Sequence, residues 1–181
     1  MTVQTAVAPP ALRLQLEQPD DAALVDALIA RAFGPGRHTK ASERVREFAT
    51  FAPDCSVCAW GSESRGSPDG KGAGRLLGAA RMWRITVGGE PATFLGPFAV
   101  EQGERNAGFG ARLIARACEA AQAAGESHVV LVGDEDYFSR VGFSAAGGRE
   151  VILPGPVDQR RVLVRALKAD AGLLSGAVGP R

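Results

Sequence analysis

The chain has 181 residues, enough for one domain with a sizeable core. Its 21 Lys and Arg against 20 Asp and Glu leave a net charge of +1, so no global field argues for nucleic acid or a membrane surface. No apolar run reaches the ~18 residues of a membrane span, and the N-terminus lacks the charged-then-apolar layout of a signal peptide, which predicts a cytoplasmic protein.

Residues 1–11, with Pro9-Pro10, read as a loose leader. Residues 12–16 alternate apolar and polar, placing Leu12, Leu14 and Leu16 on one face of a first strand. Gln18-Pro19-Asp20-Asp21 is a helix-start signal. The helix it opens is predicted to run to Phe33 with Leu24, Leu28 and Ala32 on its buried stripe, and Gly34-Pro35-Gly36 stops it. Thr39 or Ser42 then caps a second helix reaching Ala49, and His38 in the linker reads as an exposed loop histidine.

Residues 54–60 read as a second strand. Cys55 and Cys58 there have C-x-x-C spacing, but no second pair or nearby histidine completes a metal site. On a strand, residues three apart face opposite sides, so apolar filler is the expected role. Residues 61–74 are a Gly- and Ser-rich loop, residues 75–87 a long third strand, and Gly88-Gly89 a hairpin turn. The fourth strand, residues 91–100, contains Gly96-Pro97. Proline removes a ladder donor, so this pair predicts a bulge or a strand leaving its neighbour.

The turn from Phe98 to Gly110 runs from a strand end into an amphipathic helix over residues 108–124. Its glycines and a helix N-terminus make a place for an anion such as phosphate. No Lys supplies a P-loop ending, and Leu113 occupies the place of a third Rossmann glycine. On the helix, Phe109, Leu113, Ala117, Ala120 and Ala124 form the apolar stripe. A buried fifth strand follows at residues 127–132, then a short helix at 134–141. A sixth strand is expected to start at Gly142-Phe143, with residues 151–156 and 160–166 completing the sheet and 167–181 a loose tail.

Arg105-Asn106-Ala107-Gly108-Phe109-Gly110 resembles the R/Q-x-x-G-x-G/A acetyl-CoA-binding motif of the GNAT superfamily, the Gcn5-related N-acetyltransferases. Tyr137-Phe138-Ser139-Arg140-Val141-Gly142-Phe143 resembles the aromatic-x-x-x-Gly-Phe signature that closes the same core. The resemblance covers residues 12–166 as a single domain. It implies an α+β fold: a mixed, mostly antiparallel sheet of six or seven strands with strands four and five splayed, flanked by about four helices. It further implies acetyl transfer from acetyl-CoA, as cosubstrate and without a metal, to the amine of a small acceptor.

The resemblance places the pyrophosphate on the backbone of Arg105, Asn106, Ala107, Gly108, Phe109, Gly110 and Ala111, and the pantetheine and acetyl carbonyl along Phe98, Ala99 and Val100. The resemblance also puts Phe138 among the cofactor-binding residues, where many members carry the tyrosine that protonates the CoA thiolate, so adjacent Tyr137 is the candidate acid. Glu90, Glu101, Glu104 and Asp134 are candidate carboxylates at the cleft, and His38, in the linker where many members recruit the acceptor, is a candidate acceptor-site residue or base. A non-catalytic acyl-CoA-binding or regulatory module of the same fold is the competing reading. Paired subunits are common in the family, which makes a homodimer an expectation.

Overall fold

The computed structural model describes residues 12–34, 41–61, 74–105 and 108–181. The Gly34-Pro35-Gly36 stop beyond Gly34, His38, Thr39, most of the Gly/Ser-rich loop, the leader, Asn106 and Ala107 therefore lie outside the described residues.

The alternating apolar residues form β1 (Arg13–Leu16), which pairs antiparallel with β3 (Val57–Gly61). A short 3-10 turn opens α1 (Ala22–Phe33), which closes on Gly34 at φ 63°. The helix buries Val25, Leu28 and Ile29, while Leu24 is exposed; the predicted stripe of Leu24, Leu28 and Ala32 is rolled by about one residue, or ~100°. Helix α2 (Ala41–Arg46) starts before Ser42 and ends three residues short of Ala49. The chain leaves it because Thr50 and Phe51 form β2 (Thr50–Phe51) against Arg84 and Trp83 of β4 (Arg75–Val87).

The long hairpin of β4 and β5 (Glu90–Val100) turns at Gly88-Gly89 as expected. Its register slips at Gly96-Pro97: Ala80 pairs with Phe98 and Met82 with Leu95, so two residues of β5 oppose Arg81 alone. This is the predicted bulge. The α3 helix (Phe109–Ala123) follows, burying Phe109, Leu113, Ile114, Ala117, Cys118 and Ala121 against β3 and β4, although Ala124 of the expected stripe is exposed.

Strand β6 (His128–Val132) lies parallel to β5, but only Thr93 with Val129 and Phe94 with Val130 are in register. Beyond them the two strands part, as expected of predicted strands four and five. Helix α4 (Glu135–Phe138) is capped by the Asp134 carboxylate, which accepts from the Asp136 amide at 3.0 Å.

The C-terminal third differs from the sequence reading. Gly142-Phe143 opens no strand: the Ser144 hydroxyl accepts from the Gly147 amide and caps a short helix, α5 (Ala145–Gly148), leaving one isolated bridge to Val164. Only β7 (Val151–Ile152) forms within 151–156, and Arg160 and Arg161 sit in a 3-10 turn before β8 (Val162–Ala166). The expected tail supplies a strand, β9 (Gly176–Gly179), which pairs with β4 and β7 and buries Leu174 and Val178.

The described residues thus make a mixed sheet of nine strands in the path β1-β3-β4-β5-β6-β8, with β2, β7 and β9 off that path. Two-residue strands and β9 raise the count above the six or seven expected. One apolar core lies under α3; two others lie under α1 and around α2, β7 and β9. Cys55 belongs to the first core and Cys58 to the α1 core, on opposite faces. Burial pushes Cys55 and Cys118 up to about 11 and Cys58 up to about 12.

Two ionic groups tie separate elements together. Arg81 is bound by both oxygens of buried Glu17 and by Asp26 at 2.6 Å, joining β4 to the end of β1 and to α1. Glu126, with a side chain 2% exposed, receives Arg181 at 2.6 Å and Arg84 at 3.3 Å. Removing Glu126 leaves Arg181 without this partner, whereas Arg84 keeps Asp54 at 2.6 Å. The Glu126→Ala variant is therefore expected to lose about 2 kcal/mol of stability, the size of a hydrogen bond to a charged group, read as a lower urea midpoint with an unchanged slope.

Candidate active site

The site begins where β5 and β6 separate. After Phe94 and Val130 no ladder bond crosses between them, and a cleft of about 590 Å³ opens in the gap. Leu95, Gly96, Pro97 and Phe98 of β5 make one wall. Leu131, Val132, Gly133 and Asp134 make the other, with Tyr137 and Phe138 of α4 beside them. Ser42, Glu43 and Arg46 of α2, with Val157, Asp158 and Arg161 before β8, stand over the opposite end.

The Gly-rich turn feeds the first end. Gln102–Glu104 form a 3-10 turn, and Gly108 caps α3 at φ 74°, a left-handed backbone that favours glycine. Phe109 is buried and anchors the helix start in the core. Gly110 permits a close approach: a Cβ there would sit 2.6 Å from the Tyr137 hydroxyl and 3.2 Å from the Phe98 ring, so the tip of the tyrosine would have to shift. Phe98 and Tyr137 thus meet over the first turn of α3, with ring centroids 6.4 Å apart. Phe138 packs edge-on to both Phe98 at 6.2 Å and Tyr137 at 5.0 Å, and to buried Phe143 at 6.0 Å.

Three sequence-predicted residues, Phe98, Tyr137 and Phe138, line the cleft together. Val100 reaches within 3.7 Å of the Gly110 position. Ala99 points into the α1 core, so only its backbone is available. Arg105 and Gly108 are exposed, Gly110 is buried and Ala111 is half-buried. Tyr137 is 39% exposed whereas Phe138 is 9% exposed, so the tyrosine is the wet member of the pair. Desolvation raises the Tyr137 phenol above its ordinary value, against a smaller opposing pull from Arg140. The hydroxyl is therefore a neutral donor across the physiological range.

Of the four candidate carboxylates, only Asp134 lines the cleft. Glu101 pairs with Arg31 at 2.5 Å and Glu104 with Arg75 at 3.4 Å, and Glu90 lies at the β4–β5 hairpin, away from the lining. Sequence reasoning missed Glu43, Arg46, Asp158 and Arg161. Glu43 and Arg46 form an ion pair one helical turn apart, a spacing visible in the sequence. Asp158 caps its 3-10 turn and binds Arg160, which holds its carboxyl below the usual range. Arg161 donates from Nε to the Gly133 carbonyl at 3.3 Å, a pairing only the fold creates. No group of His, Cys, Asp and Glu among the described residues is arranged to hold a metal ion, and no described helix is long and apolar enough to cross a membrane.

Comparison with known proteins places this geometry among relatives. The sequence model of the acetyltransferase (GNAT) family matches residues 22–143. The chain is 27% identical over 170 residues to YhbS of Escherichia coli (strain K12), an uncharacterised N-acetyltransferase, covering 92% of each chain. Its fold is similar to the crystal structure of E. coli YhbS in complex with CoA, with TM-score 0.74, 26% identity, and coverage of 97% of this chain and 92% of that one. A GNAT family acetyltransferase from Brucella melitensis, crystallised with acetyl-CoA, shares the fold at TM-score 0.63 and 23% identity, with coverage of 93% and 95%.

Tyr137 is the one tyrosine of the chain. Alkaline titration of phenolate absorbance near ~295 nm therefore reports this site alone, and its midpoint is expected above the ordinary ~10. A midpoint at or below that of free tyrosine would remove the desolvated-donor assignment.

Proposed function

The chain belongs to the GNAT acetyltransferase family, and from that premise we propose that it transfers an acetyl group from acetyl-CoA to the amine of a small acceptor. The observation that carries the reading is the parting of β5 from β6 after Phe94 and Val130, with a cleft whose lining residues Phe98 and Tyr137 meet over Gly110 in the first turn of α3. A thin acyl-carrying arm fits such a gap, with its phosphates at the turn and its thioester beside Phe98. Solved relatives with CoA or acetyl-CoA bound support the donor.

In this reading the amides from Arg105 to Ala111, led by the α3 N-terminus, hold the pyrophosphate. The backbone of Phe98 and Val100 pairs with the pantetheine, and the Phe98 amide polarises the acetyl carbonyl. The acceptor enters between α2 and the segment before β8, where Glu43, Arg46, Asp158 and Arg161 stand. Its nitrogen attacks the carbonyl carbon directly, and the carbon–sulfur bond breaks. Asp134, the one cleft-lining carboxylate of the four proposed from sequence, takes the amine proton through water. Tyr137, neutral and beside Gly110, donates to the departing thiolate. The reaction belongs where acetyl-CoA is made and used, in the cytoplasm.

Phe138 favours the second reading, a CoA-binding module without turnover, because it stands where the family's usual acid would be. Two experiments separate the readings. Calorimetric titration is expected to show micromolar binding of CoA and acetyl-CoA, abolished by Gly108→Trp, which blocks the exposed turn and forces a side chain onto its left-handed backbone. Absence of binding by folded wild-type protein overturns both readings. Thiol release with phenethylamine, spermidine and L-lysine as amine probes then tests turnover. Tyr137→Phe should lower kcat about tenfold, a small effect for an acid because a thiolate leaves readily near neutral pH, while the acetyl-CoA KM stays within about twofold. Binding without turnover on any primary amine supports the module.

A further inference from the structure

Trp83 sits at the centre of β4 with Phe51 of β2 on one side and Phe94 of β5 on the other, its register partners in both directions. Phe94 is the last residue of β5 in register with β6. Two residues later the bulge begins. Gly96 and Pro97 have no register partner on β4, and Gly96 adopts φ 153°, which favours glycine. The Gly96 carbonyl therefore needs a partner from outside the ladder. The Trp83 indole Nε1 supplies it, donating at 2.6 Å.

The same indole has a second attachment. The Arg46 guanidinium lies over its ring, 5.9 Å from the centroid, in the range of a cation–π contact. Arg46 is paired with Glu43, and both line the cleft from α2. Phe51 packs against the indole at 5.3 Å. One side chain thus touches the bulge on the donor wall and the charge pair on the acceptor wall, without itself lining the cleft.

We propose that Trp83 is a positioning residue: its N–H fixes the Gly96 carbonyl, and so the peptide that aims the Phe98 amide, while its ring seats the Arg46–Glu43 pair over the acceptor end. The kinetic consequence rests on the acetyltransferase reading. The mechanical one, that the Phe98 amide is held in place through Gly96, does not.

The test compares Trp83→Phe, which keeps a ring and loses the donor, with Trp83→Leu, which loses both. Thermal scans establish that each is folded. In Trp83→Phe, hydrogen exchange at the Ala99 amide, at the ladder position paired with Ala79 just beyond the bulge, should quicken at least about tenfold while Ala92, upstream in the intact ladder, is unmoved. With whichever amine probe turns over, kcat should fall about tenfold, since small displacements of reacting groups cost one to two orders of magnitude. CoA affinity and the acceptor KM should stay within about twofold. Trp83→Leu should add a rise of about fivefold or more in the acceptor KM.

A Trp83→Phe variant with wild-type exchange at Ala99 overturns the proposal, as does wild-type kcat in that variant. Identical acceptor KM values for the Phe and Leu variants overturn the second attachment. Should Leu fail to fold, the Phe variant decides the first. Should the wild type bind neither CoA nor acetyl-CoA, the acetyltransferase reading fails, and the exchange comparison still decides whether Trp83 governs the bulge.

Discussion

Two residue pairs, Thr93 with Val129 and Phe94 with Val130, join the halves of the sheet. Everything functional depends on that ladder being so short. Were it longer, the backbone of Phe98 and Val100 would be spent on β6, and nothing could lie between the strands. Were it absent, the halves would be tied only by side chains and loops. Parallel pairing needs a crossover, which α3 supplies, and the crossover brings its own N-terminus to the mouth of the gap. The strand gap and the glycine-rich turn are thus one topological event.

The bulge keeps the ladder short. With Gly96 and Pro97 both facing Arg81, β5 is forced out of register with β4 and bends away from β6. Arg81 is held from the other side by Glu17, Asp26 and the Ala22 carbonyl, and its guanidinium lies over the Phe51 ring at 5.6 Å. Burying such a group stabilises little in net terms, since desolvation offsets much of the attraction. What it provides is direction: the β1 end, α1 and the bulged stretch of β4 are brought to one point by hydrogen bonds that tolerate little displacement.

The sequence made the middle of the chain legible. Residues 75–87 were bounded correctly because Gly88-Gly89 marks the turn, and the bulge followed from a proline that a ladder cannot use. The Gly108 turn and the Tyr137 to Phe143 segment were legible through a family resemblance, although the choice of Tyr137 over Phe138 as the exposed ring needed the fold. What failed lies in the last third. Ser144 reads equally well in a strand or as a cap, and the cap wins because the next four residues are small. Strand β9 is four residues of Gly-Ala-Val-Gly, with no alternation to announce it; it exists because β4 and β7 present unpaired edges to it. The charges over the far end of the cleft were missed for a similar reason, since Glu43, Asp158 and Arg161 come to one cleft only in three dimensions.

The three cysteines end with a practical meaning. All are buried, on both faces of the sheet, and all are pushed well above neutrality. The thiolate is the nucleophile toward disulfide dyes, so these groups are inert in the folded protein. A chromogenic disulfide reagent added to the intact protein will give a near-flat baseline, and any colour that develops belongs to a released small-molecule thiol. The same reagent in denaturant counts all three, which turns the ratio of the two readings into a direct measure of the folded fraction.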